Sequence, residues 1–129
     1  VKKIVLSLLI LVFTHNLSLA DVSTQEIKQL KLKLPKSVLF VGNSYLYYND
    51  SLHNHFKRMA DEKYPGYDGS SNVKSSTIGG SRLKHHNLDH LLKPKAISSI
   101  NKFELVILQG GSGEALSKKD RKAFAKKAN

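Results

Sequence analysis

The sequence predicts an α/β fold built on a parallel sheet, and three observations carry that expectation. Two short runs, residues 38–41 (VLFV) and 105–108 (LVIL), are apolar at every position, the pattern of strands covered on both faces. Segments with helical spacing separate the strand-like runs. Each run ends in a glycine-bearing loop, as a strand turning toward a helix requires.

Taken in order, residues 21–36 form a polar, lysine-rich lead-in with Ile27, Leu30, Leu32 and Leu34 as its apolar points, closed by Pro35. Residues 37–41 are the first strand, stopped by Gly42. From Ser51 the period changes: Leu52, Phe56, Met59 and Ala60 fall on one helical face, with Asp50 or Ser51 available as N-cap. The Tyr64-Pro65-Gly66 turn closes that helix. Residues 73–78 alternate weakly and form a second strand ending at Gly79-Gly80. Residues 81–100 are expected to be helical in part, broken at Pro94. Residues 103–108 are the third strand, followed by Gln109-Gly110-Gly111-Ser112. Residues 117–127 read as a helix opened by a Ser117-x-x-Asp120 capping box. Strands alternating with helices imply right-handed crossovers and a central parallel sheet between helical layers.

Length and composition bound the rest. With 129 residues there is room for one small domain, and 40% hydrophobic against 24% charged residues suffices for a core. The chain has no cysteine, which excludes disulfides, thiolate zinc sites and a cysteine nucleophile. Twenty-one Lys and Arg against ten Asp and Glu give a net charge of +11, a balance suited to polyanionic partners. The basic residues gather in two clusters: Lys28, Lys31, Lys33 and Lys36, and Lys118, Lys119, Arg121, Lys122, Lys126 and Lys127. The secretory signal read at residues 1–20 argues against nucleic acid; a solvated helix face or an envelope polyanion fits better.

Residues 1–20 are read as a secretory signal peptide: Lys2 and Lys3, an apolar stretch at residues 4–13, and Ser18-Leu19-Ala20 as cleavage site. The apolar stretch is about half the roughly 20 residues a bilayer span needs, so no stable membrane span is expected after cleavage. The expected location is secreted, periplasmic or cell-envelope, in a bacterium.

Ligands in parallel α/β sheets sit at the carboxyl ends of the strands. The chemistry is therefore expected in three loops: Gly42-Asn43-Ser44-Tyr45, Gly79-Gly80-Ser81 and Gln109-Gly110-Gly111-Ser112. Among the histidines, His53 and His55 point to different helix faces. His86 and His90 have metal-ligand spacing but no carboxylate at a matching third position. Neither a metal nor another cofactor is expected.

Val38-Leu39-Phe40-Val41-Gly42-Asn43-Ser44 resembles the first block of the SGNH (GDSL-type) hydrolases. The continuation Tyr45-Leu46-Tyr47-Tyr48-Asn49-Asp50 resembles a bacterial branch of that superfamily. Gly79-Gly80-Ser81-x-Leu83 with His86 resembles the second block, and Val106-Ile107-Leu108-Gln109 the strand entering the third. The resemblance covers roughly residues 36–112. It implies a three-layer, flavodoxin-like sandwich and a serine esterase or acyl hydrolase, acting on acylated carbohydrate or another small ester. Ser44 would be the nucleophile, and the backbone N–H groups of Ser44 and Gly80 would form the oxyanion hole. Where the family has Gly-x-Asn in the third block, this loop offers Gln109 first, for its amide donor, and Ser112 second. Asn43, Tyr45 and Ser112 are candidate substrate contacts. The family's Asp-x-x-His follows the third block, and no histidine follows Gln109. The resemblance thus implies that residues 37–129 are the N-terminal part of an SGNH domain, incomplete at its C-terminus and inactive alone.

Overall fold

The organising element is β1 (Val38–Gly42), whose five residues are all buried. The structure, a computed structural model, describes residues 33–129. The expected signal peptide and residues 21–32 of the lead-in lie outside the described residues. β1 pairs in parallel with β2 (Val73–Thr77) on one side, Val38 opposite Val73 and Gly42 opposite Thr77. On its other side it pairs in parallel with β3 (Leu105–Leu108), Val38 opposite Leu105 and Val41 opposite Leu108. Among the described residues the sheet therefore has three strands in the order β2-β1-β3. Parallel pairing forbids hairpins, so both returns run through helical and irregular chain. The result is a mixed α/β fold on a small, open, all-parallel sheet.

Successive side chains of β1 point to opposite faces and seed two cores. Val38 and Phe40 pack with Leu46, Val73, Phe56, Tyr67 and Ile107. Leu39 and Val41 pack with Leu83 and Leu88, backed by Phe103, Val106, Leu108 and Phe124. β1 runs through Asn43 into the single-turn helix α1 (Ser44–Tyr47), and on the first face lies α2 (Leu52–Lys63), whose Phe56 ring meets Phe40 edge-on at 5.8 Å. Of the expected apolar stripe only Phe56 and Ala60 turn inward. Leu52 and Met59 are 47% and 62% exposed, because a helix resting on a narrow sheet buries one line of side chains rather than a broad face. Ser51 takes the N-cap position of α2 but makes no capping bond. Its backbone has φ of 63°, and its hydroxyl donates to the Tyr47 carbonyl at 3.2 Å. Asn49 and Asp50 precede it with φ of 50° and 64°, so the entry to α2 is three consecutive left-handed residues, a conformation that strains side chains other than glycine.

The expected helical stretch at residues 81–100 is mostly irregular. It holds one 3₁₀ turn (Leu83–His85) and one α-helical turn, capped by Asn87 and covering Leu88–Leu91. The closing helix Lys118–Ala128 begins as its spacing predicts. Ser117 Oγ accepts from the Asp120 N–H at 3.0 Å and donates to the Asp120 carboxylate at 2.7 Å. No helix among the described residues is long and apolar enough to cross a membrane.

Candidate functional site at the strand ends

The order β2-β1-β3 makes the chain leave β1 toward one neighbour and return on the other side. Such a reversal opens a crevice beyond the carboxyl ends of the strands. In that position lies a polar cavity of about 320 Å³, lined by Asn43, Ser44, Tyr45, Gly80, Arg82, Gly111, Ser112 and Gly113. All three glycine-bearing loops contribute to it.

The first loop is shaped by Gly42 and Asn43. A Cβ on Gly42 would sit 2.6 Å from Gln109 Oε1 and 2.7 Å from Leu46 Cδ1, so only glycine lets the β1 end approach the β3 loop this closely. Asn43 is 3% exposed. Its Oδ1 accepts from the Tyr45 N–H at 3.1 Å and so caps the single-turn helix Ser44–Tyr47. Its Nδ2 donates to the carbonyls of Ser81 at 2.9 Å and Gly110 at 3.2 Å. One buried amide thereby fixes the relative positions of all three loops. It acts as a brace, and its side-chain groups are spent on the protein rather than on a ligand.

Ser44 follows directly, partly buried, at the first helical position. Its N–H donates to no group among the described residues. The Gly80 N–H is likewise unengaged among them, and Gly80 has φ of +65° with open space where a Cβ would stand. Glycine is needed there for conformation, not for room. Tyr45 is 65% exposed beside the cavity. Tyr47 and Tyr48 meet edge-on at 5.4 Å, and an added Cβ on Gly79 would lie 3.2 Å from the Tyr47 hydroxyl. Aromatic rings thus rim the first and second loops.

Gln109 departs from its expected role. Its Oε1 accepts from the Asn43 N–H at 2.9 Å and its Nε2 is directed at the Gly110 carbonyl. It does not line the cavity. With both ends of the amide used inside the loop framework, Gln109 is a structural partner of Asn43 and not a donor to a ligand. Ser112, the second candidate from that loop, does line the cavity. Its loop is held by Glu114, which is 6% exposed and whose Oε2 accepts from the N–H groups of Gly111 at 2.5 Å and Leu83 at 3.2 Å.

Ser81 and His86, both 3% exposed, lie behind the second loop with Oγ and Nε2 2.9 Å apart. His86 Nδ1 has no partner among the described residues. Burial lowers the His86 pKa below the usual histidine value, opposed by the Gly42 backbone and reinforced by the nearby His85 charge. No histidine among the described residues lines the Ser44 cavity. The described residues contain no group of three or more side chains arranged to hold a metal ion.

The sequence reading did not single out Arg82, Gly111 and Gly113 as lining residues. Their glycine-rich neighbourhood was visible, but nothing in the sequence marks the Arg82 side chain as turning toward the first loop. A second cavity of about 460 Å³, mostly apolar, adjoins through Gly111 and Ser112 and is walled by Glu114, Ala115, Arg121 and Phe124. Compared with known proteins, the chain matches no family model, no curated protein and no solved structure.

Proposed function

We propose that the chain is the N-terminal part of an exported SGNH-type serine hydrolase that cleaves a small ester, with Ser44 as nucleophile. The observation that carries the proposal is the convergence of Ser44 and Gly80 on one polar cavity, each with a backbone N–H that is unengaged among the described residues. An acyl-transfer site needs a hydroxyl beside donors that can hold the developing oxyanion. The order β2-β1-β3 is also the one with which flavodoxin-like sheets begin, in keeping with the sandwich that the resemblance implies. Ser112, lining the same cavity, takes the place proposed for the third-block donor. Residues 33–129 supply no histidine to the cavity, so the general base of the complete enzyme comes from elsewhere in it, as the Asp-x-x-His of the family would.

The test is covalent labelling. A fluorophosphonate given to the full-length protein should modify Ser44, located by peptide mass mapping. Ser44→Ala should remove the label and lower hydrolysis of 4-nitrophenyl acetate by about 10³-fold or more. Turnover that survives Ser44→Ala sinks the proposal.

A further inference from the structure

We infer that the Ser44 cavity takes an ester carrying a negative charge, and that Arg82 is the residue that selects it. The ester rests on the function proposed above; the charge rests on Arg82 alone.

Arg82 is the one charged side chain among the described residues lining the cavity. Its guanidinium is held at one corner: Nη1 donates to Asp120 Oδ1 at 2.8 Å, and Asp120 is held in turn by the Ser117 hydroxyl at 2.7 Å. Its stem crosses the third loop, with Cγ 3.2 Å from where a Cβ on Gly111 would be. Nη2 reaches to 3.4 Å from the corresponding point on Gly113. A guanidinium offers five N–H donors, and the Asp120 contact uses only the Nη1 corner. The remaining face lies along the same glycine-rich wall that borders Ser44.

The other lining groups match it. Among the described residues the Ser44 and Gly80 N–H groups are unengaged, and no Asp or Glu lines the cavity. The Asn43 amide, which has an acceptor oxygen, is spent on Tyr45, Ser81 and Gly110. The described lining therefore presents backbone and hydroxyl donors and one positive charge, with no carboxylate to repel an anion. A neutral ester engages the two backbone donors and the Ser112 hydroxyl but leaves Arg82 unused. An ester with a second oxyanion group, such as a carboxylate, sulfate or phosphate, engages Arg82 as well, and guanidinium–oxyanion pairs are directional and charge-assisted. The charge can sit on the acid half or the alcohol half of the ester.

The test is an NMR titration of the full-length protein in about 150 mM NaCl, where long-range attraction to a basic surface is screened. The amide signals of Ser44, Gly80 and Ser112 are followed with methyl hydrogen succinate (charge on the acid half), O-acetylglycolate (charge on the alcohol half) and neutral dimethyl succinate. At least one monoanion should bind about tenfold or more tighter than dimethyl succinate, the scale of one added charge-assisted contact. Arg82→Gln should erase that preference. Arg82→Lys keeps the charge and a partner for Asp120, and should retain part of the preference, which guards against simple misfolding. Lys102→Gln removes the same charge from an exposed residue at the opposite end of the sheet, where the Lys102 carbonyl receives the Ser37 hydroxyl, and should change nothing. Equal binding of the neutral diester, or an equal loss in Lys102→Gln and Arg82→Gln, overturns the inference. Arg82-dependent binding without fluorophosphonate labelling of Ser44 would leave the anion site standing and remove the hydrolase. Labelling without charge preference would do the reverse.

Discussion

Asn43 and His86 are both 3% exposed, both carry polar ring or amide groups, and both meet Ser81, yet they sit in the fold on different terms. The Asn43 amide has a partner at each end: the Tyr45 N–H on its oxygen, and the carbonyls of Ser81 and Gly110 on its nitrogen. His86 shares one nitrogen with the Ser81 hydroxyl and leaves the other without a partner among the described residues. A satisfied buried polar group fixes geometry regardless of solution conditions. A half-satisfied one makes stability depend on its charge state. The cavity beside Ser44 is thus framed by a brace indifferent to pH and backed by a residue that is not.

Breaking the brace should have the largest effect. Asn43→Ala removes three hydrogen bonds and leaves the buried Ser81 carbonyl unpaired, while Gly110 keeps Gln109 as partner, so a loss of about 2–4 kcal/mol is expected in urea unfolding. The Ser44 and Gly80 amide resonances should broaden as the loops lose their common anchor. Next comes Gly42→Ala, which drives a methyl into Gln109 and Leu46 and should cost about 1–3 kcal/mol. If it costs nothing, the close approach of the first and third loops is wrong.

Acidification sharpens the other side of the contrast. The His86 pKa is lowered in the folded state, first by burial, so the unfolded chain takes up its proton at higher pH than the folded one. Its contribution is fully present above the unfolded value of about 6.5 and is lost as pH falls below it toward the lowered folded value. The urea midpoint should therefore fall between pH 7 and pH 5. His53 is lowered in the same direction by burial and by Lys57, so the measurement belongs in a His53→Gln background. There His86→Leu should flatten the slope and Asn43→Ala should keep it. Asp68, held to about 2 by hydrogen bonds from Ser71 and Ser70, titrates below this window.

The smallest effect lies at the turn after the tyrosines. Ser51→Gly removes a side chain from a residue with φ of 63° and should stabilise by up to about 1 kcal/mol, the left-handed penalty less the flexibility glycine adds to the unfolded chain. A loss instead would mean that the Ser51 hydroxyl bond to Tyr47 outweighs the strain.

Much of this was legible in the sequence, because burial on both faces leaves a plain mark. VLFV and LVIL could hardly be anything but covered strands, and both pair as parallel strands within a residue or two of the expected bounds. The longer helices showed in their spacing and, for the last one, in Ser117 and Asp120. The single-turn helices at Ser44–Tyr47 and Gly69–Asn72 were missed, since four residues have no period to read. Their signal was in the caps: Asn43 and Asp68 each accept from a backbone N–H two or three residues on. At the site, the sequence named the loops and Ser44, Gly80 and Ser112 within them. It could not show where the Gln109 amide points, because a side-chain amide has the same donors whether it faces a cavity or a neighbouring backbone. Nor did it anticipate Arg82, whose position depends on Asp120, 38 residues away.

The bonds of Asn43 also bear on how the protein comes to exist. Its partners Ser81 and Gly110 lie 38 and 67 residues down the chain, and β1 cannot gain its β3 neighbour until residues 105–108 have been made. Contacts this distant slow folding, because loop closure must precede the contacts that reward it. During synthesis the apolar β1 therefore waits, unpaired on one edge, until residues 105–108 have followed it. The crevice is among the last features to form, and it cannot be assembled from any single local segment.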